Sequence, residues 1–189
     1  MKSAGILATL TLAFAVLGSA GLPAIAAGAP GGPSPETAAR LNAVCGQTTV
    51  YDCYTNHKYG YVLAWPLRHL TPQGESDSGD GQMFASPDGR ALLSCWAYLS
   101  DVQGQSIDQA YGEALMEAGP QVSYKHLGKD FFVISGFKGV KIFYRKTMLA
   151  HGVQASFELS YAPELKNEFD PVVKDLARSF SVDPAFRWR

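Results

Sequence analysis

Residues 140–161 read VKIFYRKTMLAHGVQASFELSY, and the folding of this stretch decides the architecture. Taken as a two-residue turn, His151-Gly152 sets Ala150 opposite Val153, Met148 by Ala155, Tyr144 by Leu159 and Ile142 by Tyr161, which makes one apolar face. The other face carries Lys141, Arg145 and Thr147 against Ser156, Glu158 and Ser160, with Arg145 directly opposite Glu158. A one-residue slip of either strand would mix the faces, so pattern and pairing together predict this antiparallel register.

Working outward, Val122–Leu127, Phe131–Phe137 and Val140–Leu149 read as successive strands with glycine-bearing breaks. Before them, Ser106-Ile107-Asp108-Gln109 is a capping box, and Ala110, Tyr111, Ala114, Leu115 and Ala118 follow at helical spacing until Gly119-Pro120. After Pro163, Leu165, Phe169, Val172, Val173, Leu176 and Phe180 share one side of a second helix that should lie on the sheet. Pro171 is expected to kink that helix or divide it.

The segment GESDSGDGQMFASPDGRALLSCW, residues 74–96, raises the question of a calcium loop, because it gathers Glu75, Asp77 and Asp80. With Gly81 at position 6 of an EF-hand loop, position 12 falls on Pro87, so the bidentate glutamate is missing. Ser86-Pro87-Asp88-Gly89 instead has proline and glycine where a turn wants them, and the segment reads as hairpins. KYGYVLAWP, residues 58–66, reads as a strand stopped by Pro66, and ETAARLNAV, residues 36–44, as a short helix.

At the N-terminus, Lys2, the apolar run Ile6–Leu17 and the small residues after it have the layout of a secretory signal. Ala24-Ile25-Ala26 fits a cleavage site, which puts the mature start near Ala27, with Ala29 as the alternative. Removing 26 of 189 residues leaves 163 and moves the net charge from −1 to −2, since that segment carries only Lys2. That length suits one core burying roughly 70% of its unfolded surface. The charge balance gives no reason to invoke nucleic acid or an anionic membrane. The expected organisation is a signal peptide over 1–26, a flexible Gly/Pro/Ala linker over 27–40, one α+β domain over 41–182, and a tail over 183–189 without an assigned partner.

Export permits disulfides, and three cysteines leave one over within a monomer. Cys45 and Cys53 lie in a polar, turn-rich stretch, whereas Cys95 shares an inward strand face with Ala91, Leu93 and Ala97. The expected bridge is Cys45–Cys53 with Cys95 buried and free; Cys53–Cys95 is the rival.

No nucleophile elbow, zincin helix, CxxC, Walker loop or dinucleotide fingerprint occurs. His57, His69, His126 and His151 share no metal-ligand spacing, so no metal and no cofactor are expected. Two features remain as candidate binding surfaces. Tyr51, Tyr54, Tyr59 and Tyr61 with Trp65 form either an aromatic platform or cross-strand packing. Lys125, Lys129, Lys138, Lys141, Arg145 and Lys146 form either a recognition surface or the wet face of the sheet. Glu158 opposite Arg145 reads as a structural ion pair.

The order of these pieces, carried by KYGYVLAWP, GDGQMFASPDGRALLSCWA, SIDQAYGEAL, FFVISGFKGVKIFYRKTML and FELSYAPELKNEFDPVVKDLARSF, resembles a family of uncharacterised secreted bacterial proteins. The layout is similar to the PsbP/Mog-like fold, shared by an extrinsic photosystem II protein and a Ran-binding import factor. It implies an α+β single domain, a central antiparallel sheet with helices packed on it in an α/β/α sandwich. It covers about residues 59–180 and transfers no site residues, and neither photosystem nor Ran binding is implied. The expected protein is therefore a monomeric, exported binding or accessory domain, periplasmic or secreted, acting without catalysis on another envelope component through Lys141, Arg145, Glu158, Tyr59, Tyr61 and Trp65. The alternative is an envelope hydrolase or small-ligand protein whose pocket is assembled from residues distant in sequence.

Overall fold

The His151-Gly152 turn forms as its sequence requires. His151 sits at φ 54° and Gly152 at φ 75°, the two positive angles of a hairpin turn whose twist matches its strands. In the computed structural model, which describes residues 34–45, 50–100 and 104–186, every expected pair of that hairpin is opposed, Ile142 to Tyr161 through Ala150 to Val153. The signal segment and the first part of the linker lie outside the described residues.

The described chain runs α1 (Pro35–Val44), β1 (Tyr51–Asn56), β2 (Tyr61–Pro66), β3 (Thr71–Glu75), β4 (Gly81–Ala85), β5 (Ala91–Leu99), α2 (Ile107–Ala118), β6 (Val122–Leu127), β7 (Phe131–Lys138), β8 (Lys141–Ala150), β9 (Val153–Tyr161), a 3-10 turn (Pro163–Leu165), α3 (Lys166–Ser179) and β10 (Ser181–Val182). Seven strands form one antiparallel sheet in the order β3-β4-β5-β9-β8-β7-β6, and β1-β2-β10 form a second. The acidic stretch is two hairpins in succession. Ser76 and Gly79 close the first turn, with Ser76 N–H bonded to Gly81 C=O at 2.9 Å, and Ser86 and Gly89 close the second, with Ser86 N–H bonded to Ala91 C=O at 2.9 Å.

The main core lies between the two sheets. Tyr61, Leu63 and Trp65 of β2 meet Phe84, Leu93, Cys95, Phe157 and Leu159 of the large sheet, and α3 adds Phe169, Val172 and Leu176. Ser179 Oγ accepts from Ala64 N–H at 3.0 Å, which ties the end of α3 to β2. Pro171 does not divide α3, which runs continuously from Lys166 to Ser179, so of the two expected outcomes the division is corrected. It is the helix's sixth residue and exposed, so its ring has solvent-side room.

Three further expectations change. Residues 35–40, placed in the linker, belong to α1: Ser34 caps its N-terminus through Thr37 N–H, and Thr37, Ala38 and Leu41 are buried. The described part of the tail, 183–186, acquires partners within the domain. Asp183 N–H donates to Gly60 C=O at 2.8 Å, and the Asp183 carboxylate accepts from Ser34 N–H at 2.5 Å. Gly60 has to be glycine here, because its φ is +66° and an added Cβ would lie 2.3 Å from the Phe186 ring.

The third correction concerns the polar face of the hairpin, which is not simply wet. Phe143 points to that side, and with Phe132 and Ile134 of β7 it forms a second core under Ile107, Ala110 and Ala114 of α2. Helix α2 thus roofs β6–β8 on one side, while the small sheet and α3 roof β4, β5 and β9 on the other.

Candidate functional site

The cysteines sort as expected. Cys45 and Cys53 are bridged with their Cα atoms 6.1 Å apart, joining the end of α1 to β1. Cys95 is free and buried, and burial pushes its thiol up to about 12, so it is no nucleophile at neutral pH. In the acidic stretch, Ser76 Oγ donates to Asp80 at 2.5 Å and Tyr54 OH to Glu75 at 2.6 Å, so two of the three carboxylates are turned into local hydrogen bonds. Among the described residues no three acidic, histidine or cysteine side chains converge as a metal site.

Tyr59, Tyr61 and Trp65 do not form an exposed platform. All six residues of β2 are buried, because β2 is the middle strand of its sheet, packs on the large sheet through Tyr61, Leu63 and Trp65, and is contacted by helices α1 and α3 as well. Trp65 stacks on Phe84 at 5.0 Å, and Tyr61 OH donates to Asp80 C=O at 3.1 Å. The packing reading of these aromatics is the one the geometry carries.

Arg145 and Glu158 are brought together, with a third partner that the sequence did not suggest. Arg145 is 8% exposed; its Nε donates to Glu158 at 2.8 Å and its terminal nitrogens to both oxygens of Glu117 on α2 at 2.7 and 2.9 Å. Lys138 approaches the same two carboxylates at 3.4 and 3.7 Å, and the guanidinium lies over the Trp96 ring at 5.6 Å. The hydrogen bonds from Arg145 hold the Glu117 carboxyl below its ordinary range. Two cations and two anions balance, so the cluster is a clamp that pins the last turn of α2 to β8 and β9. Lys141 donates to Gly89 C=O at 3.0 Å. Both basic residues expected to face a partner are engaged within the chain.

A different surface is open. On the side of β6 and β7 facing away from α2, the roof made by the small sheet and α3 stops at β8, where Lys146 Nζ donates to Ala177 C=O at 2.8 Å. Beyond it Tyr124 is 54% and Phe137 45% exposed, and Val140 in the adjoining turn 83%. The register places Tyr124 and Tyr144 on either side of Ser135, and Phe137 beside Ile142, so these side chains form one patch. Burial raises the Tyr144 phenol to about 12, with Tyr124 a neighbouring contributor. β6 is also an edge strand. The opposite edge, β3, is exposed along its length but carries Pro72; both edge strands have a register shift, and β6 has no proline and is exposed from Ser123 to Leu127.

No family model matches the chain, and no curated protein sequence does. Among solved structures it is similar to the solution structure of cyanobacterial PsbP (CyanoP) from Synechocystis sp. PCC 6803, with a TM-score of 0.53 and 14% identity over 73% of this chain and 96% of that one. At that identity the likeness establishes the fold, a PsbP-like α+β domain, and nothing about a ligand or partner.

Proposed function

We propose that this chain is an exported accessory domain that binds a protein of the cell envelope, without catalysis of its own, and that it acts as a monomer. The observation that carries the reading is the uncovered aromatic patch of Tyr124, Phe137 and Val140 beside an open sheet edge, since contiguous exposed apolar surface marks docking sites. His126 shares the Tyr124 face of β6, and Lys129 follows in the turn just past it. The fitting partner therefore presents an apolar centre with acidic residues at its rim. Export is supported by the Cys45–Cys53 bridge, which persists in oxidising compartments, and by the N-terminal sequence pattern. Among the described residues no helix is long and apolar enough to cross a membrane. A hydrolase pocket built on Arg145 and Glu158 is disfavoured, because both are engaged in the clamp.

The test places a photo-crosslinking residue at position 124 or 137 of the exported protein in cells, with exposed Asp108 on α2 as the control position. One reproducible envelope protein, captured from 124 and 137 but not from 108 and lost in Phe137→Ser, is the expected result. Equal capture from all three positions, or capture indifferent to Phe137→Ser, would sink the proposal.

A further inference from the structure

A cleft of about 250 Å³ opens on another part of the molecule, where the β2–β3 connection, the β4–β5 turn and the start of α3 meet. We propose that it binds a small organic anion, one carboxylate or phosphate group on a short apolar body. This inference is independent of the docking surface.

The charges around the cleft decide the sign of the ligand. Its two carboxylates already have partners. Asp88 accepts from Ser86 Oγ at 2.7 Å and from Arg90 N–H and Nε at 3.0 and 2.6 Å, bonds that hold its carboxyl far below the usual range. Glu168 takes His69 Nδ1 at 2.6 Å. Arg90 is held through Nε, which keeps its planar group oriented and leaves its two terminal nitrogens as donors. Arg68 has neither a hydrogen bond nor an ion pair among the described residues, although it lines the cleft. With both acids occupied and two guanidinium groups still offering donors, an oxyanion is the complementary guest.

The walls decide its body. Pro87, Leu165 and Phe169 supply apolar surface, and Phe169 is fixed by stacking on Tyr161 at 5.3 Å with the His69 ring 5.5 Å away. The Glu168 contact fixes the His69 ring as part of the wall. The volume falls below the roughly 300–1,000 Å³ typical of drug-sized ligands, which limits the guest to a single ring or short chain.

The test is a titration of the ¹⁵N-labelled, disulfide-intact chain with benzoate, phenyl phosphate, inorganic phosphate and benzylammonium, read from the arginine Nε–H signals and the amides of 68–69, 86–90 and 165–169. The proposal expects saturable shifts confined to those groups for benzoate or phenyl phosphate, whichever identifies the natural head group, with Arg68→Gln weakening binding about tenfold. Tyr124→Ser should leave the titration unchanged. Saturation by benzylammonium, inorganic phosphate binding as tightly as the phenyl compounds, Arg68→Gln binding like wild type, or no shift up to on the order of 10 mM would overturn it.

Discussion

Replacing Arg145 by methionine should destabilise the domain far more than neutralising its exposed partner Glu117, and the clamp allows the amount to be worked out. Glu158 is 15% exposed and receives Nε at 2.8 Å, so the substitution leaves a largely buried carboxylate with only Lys138, now at 3.4 Å, to approach it. Breaking a buried pair by deleting one member costs about 3–5 kcal/mol, and the reach of Lys138 puts this case at the lower end, about 3 kcal/mol. Glu117 is 57% exposed, so Glu117→Gln loses only what a well-formed surface pair supplies, about 0.5–1 kcal/mol. Methionine keeps much of the stem packing over Trp96, so the loss reports the charge rather than a cavity. Arg145→Met with Glu158→Leu should regain most of the stability, because no orphaned charge remains. Urea denaturation at neutral pH, with the disulfide intact, measures all four proteins. An Arg145→Met protein within about 0.5 kcal/mol of wild type would refute the reasoning, as would a double variant less stable than the single one.

The same clamp makes a pH prediction. The Glu117 carboxyl is held down by its bonds to Arg145, so its contribution is fully present above the unfolded value of about 4.3 and is lost as pH falls through the lower folded value; Glu117→Gln should flatten that acid limb of the urea midpoint, and an unchanged slope would contradict it. The Cys45–Cys53 loop spans eight positions, for which the chain-entropy relation gives about 2–2.5 kcal/mol, so reduction should lower the denaturation midpoint without unfolding the protein, while Cys95 stays inert to alkylation until denaturant is added. Rapid native labelling of Cys95 would contradict its burial.

Legibility followed how local each determinant was. The β8–β9 register could be read because alternation in both strands and a His-Gly turn point to one pairing. The capping box of α2 and the Cys45–Cys53 bridge were local in the same way. Where α2 would lie was not legible, because its seat is made by Phe132 and Ile134, which fall in a nearly continuous apolar run, and by Phe143, which stands among the charges of β8. Glu117 gave no signal, since an acid near a helix end is ordinarily solvated. The burial of Tyr59, Tyr61 and Trp65 depends on α3 packing against β2 and on β10, a strand of two residues, returning from over a hundred positions away; no local pattern in 59–66 encodes either. The exposed patch at Tyr124 and Phe137 had no sequence signal either, because it is defined by where the opposing layer stops.

β10 also bears on when the domain can be completed. β2 lies between β1, which precedes it, and residues 181–182, which follow it by more than a hundred positions. A chain made or threaded N-terminus first therefore presents β2 with one edge unfilled until residues 181–182 arrive. Asp183 then fastens the closing strand to both Gly60 and Ser34. The strand that reaches β2 from farthest along the described chain is thus also its latch.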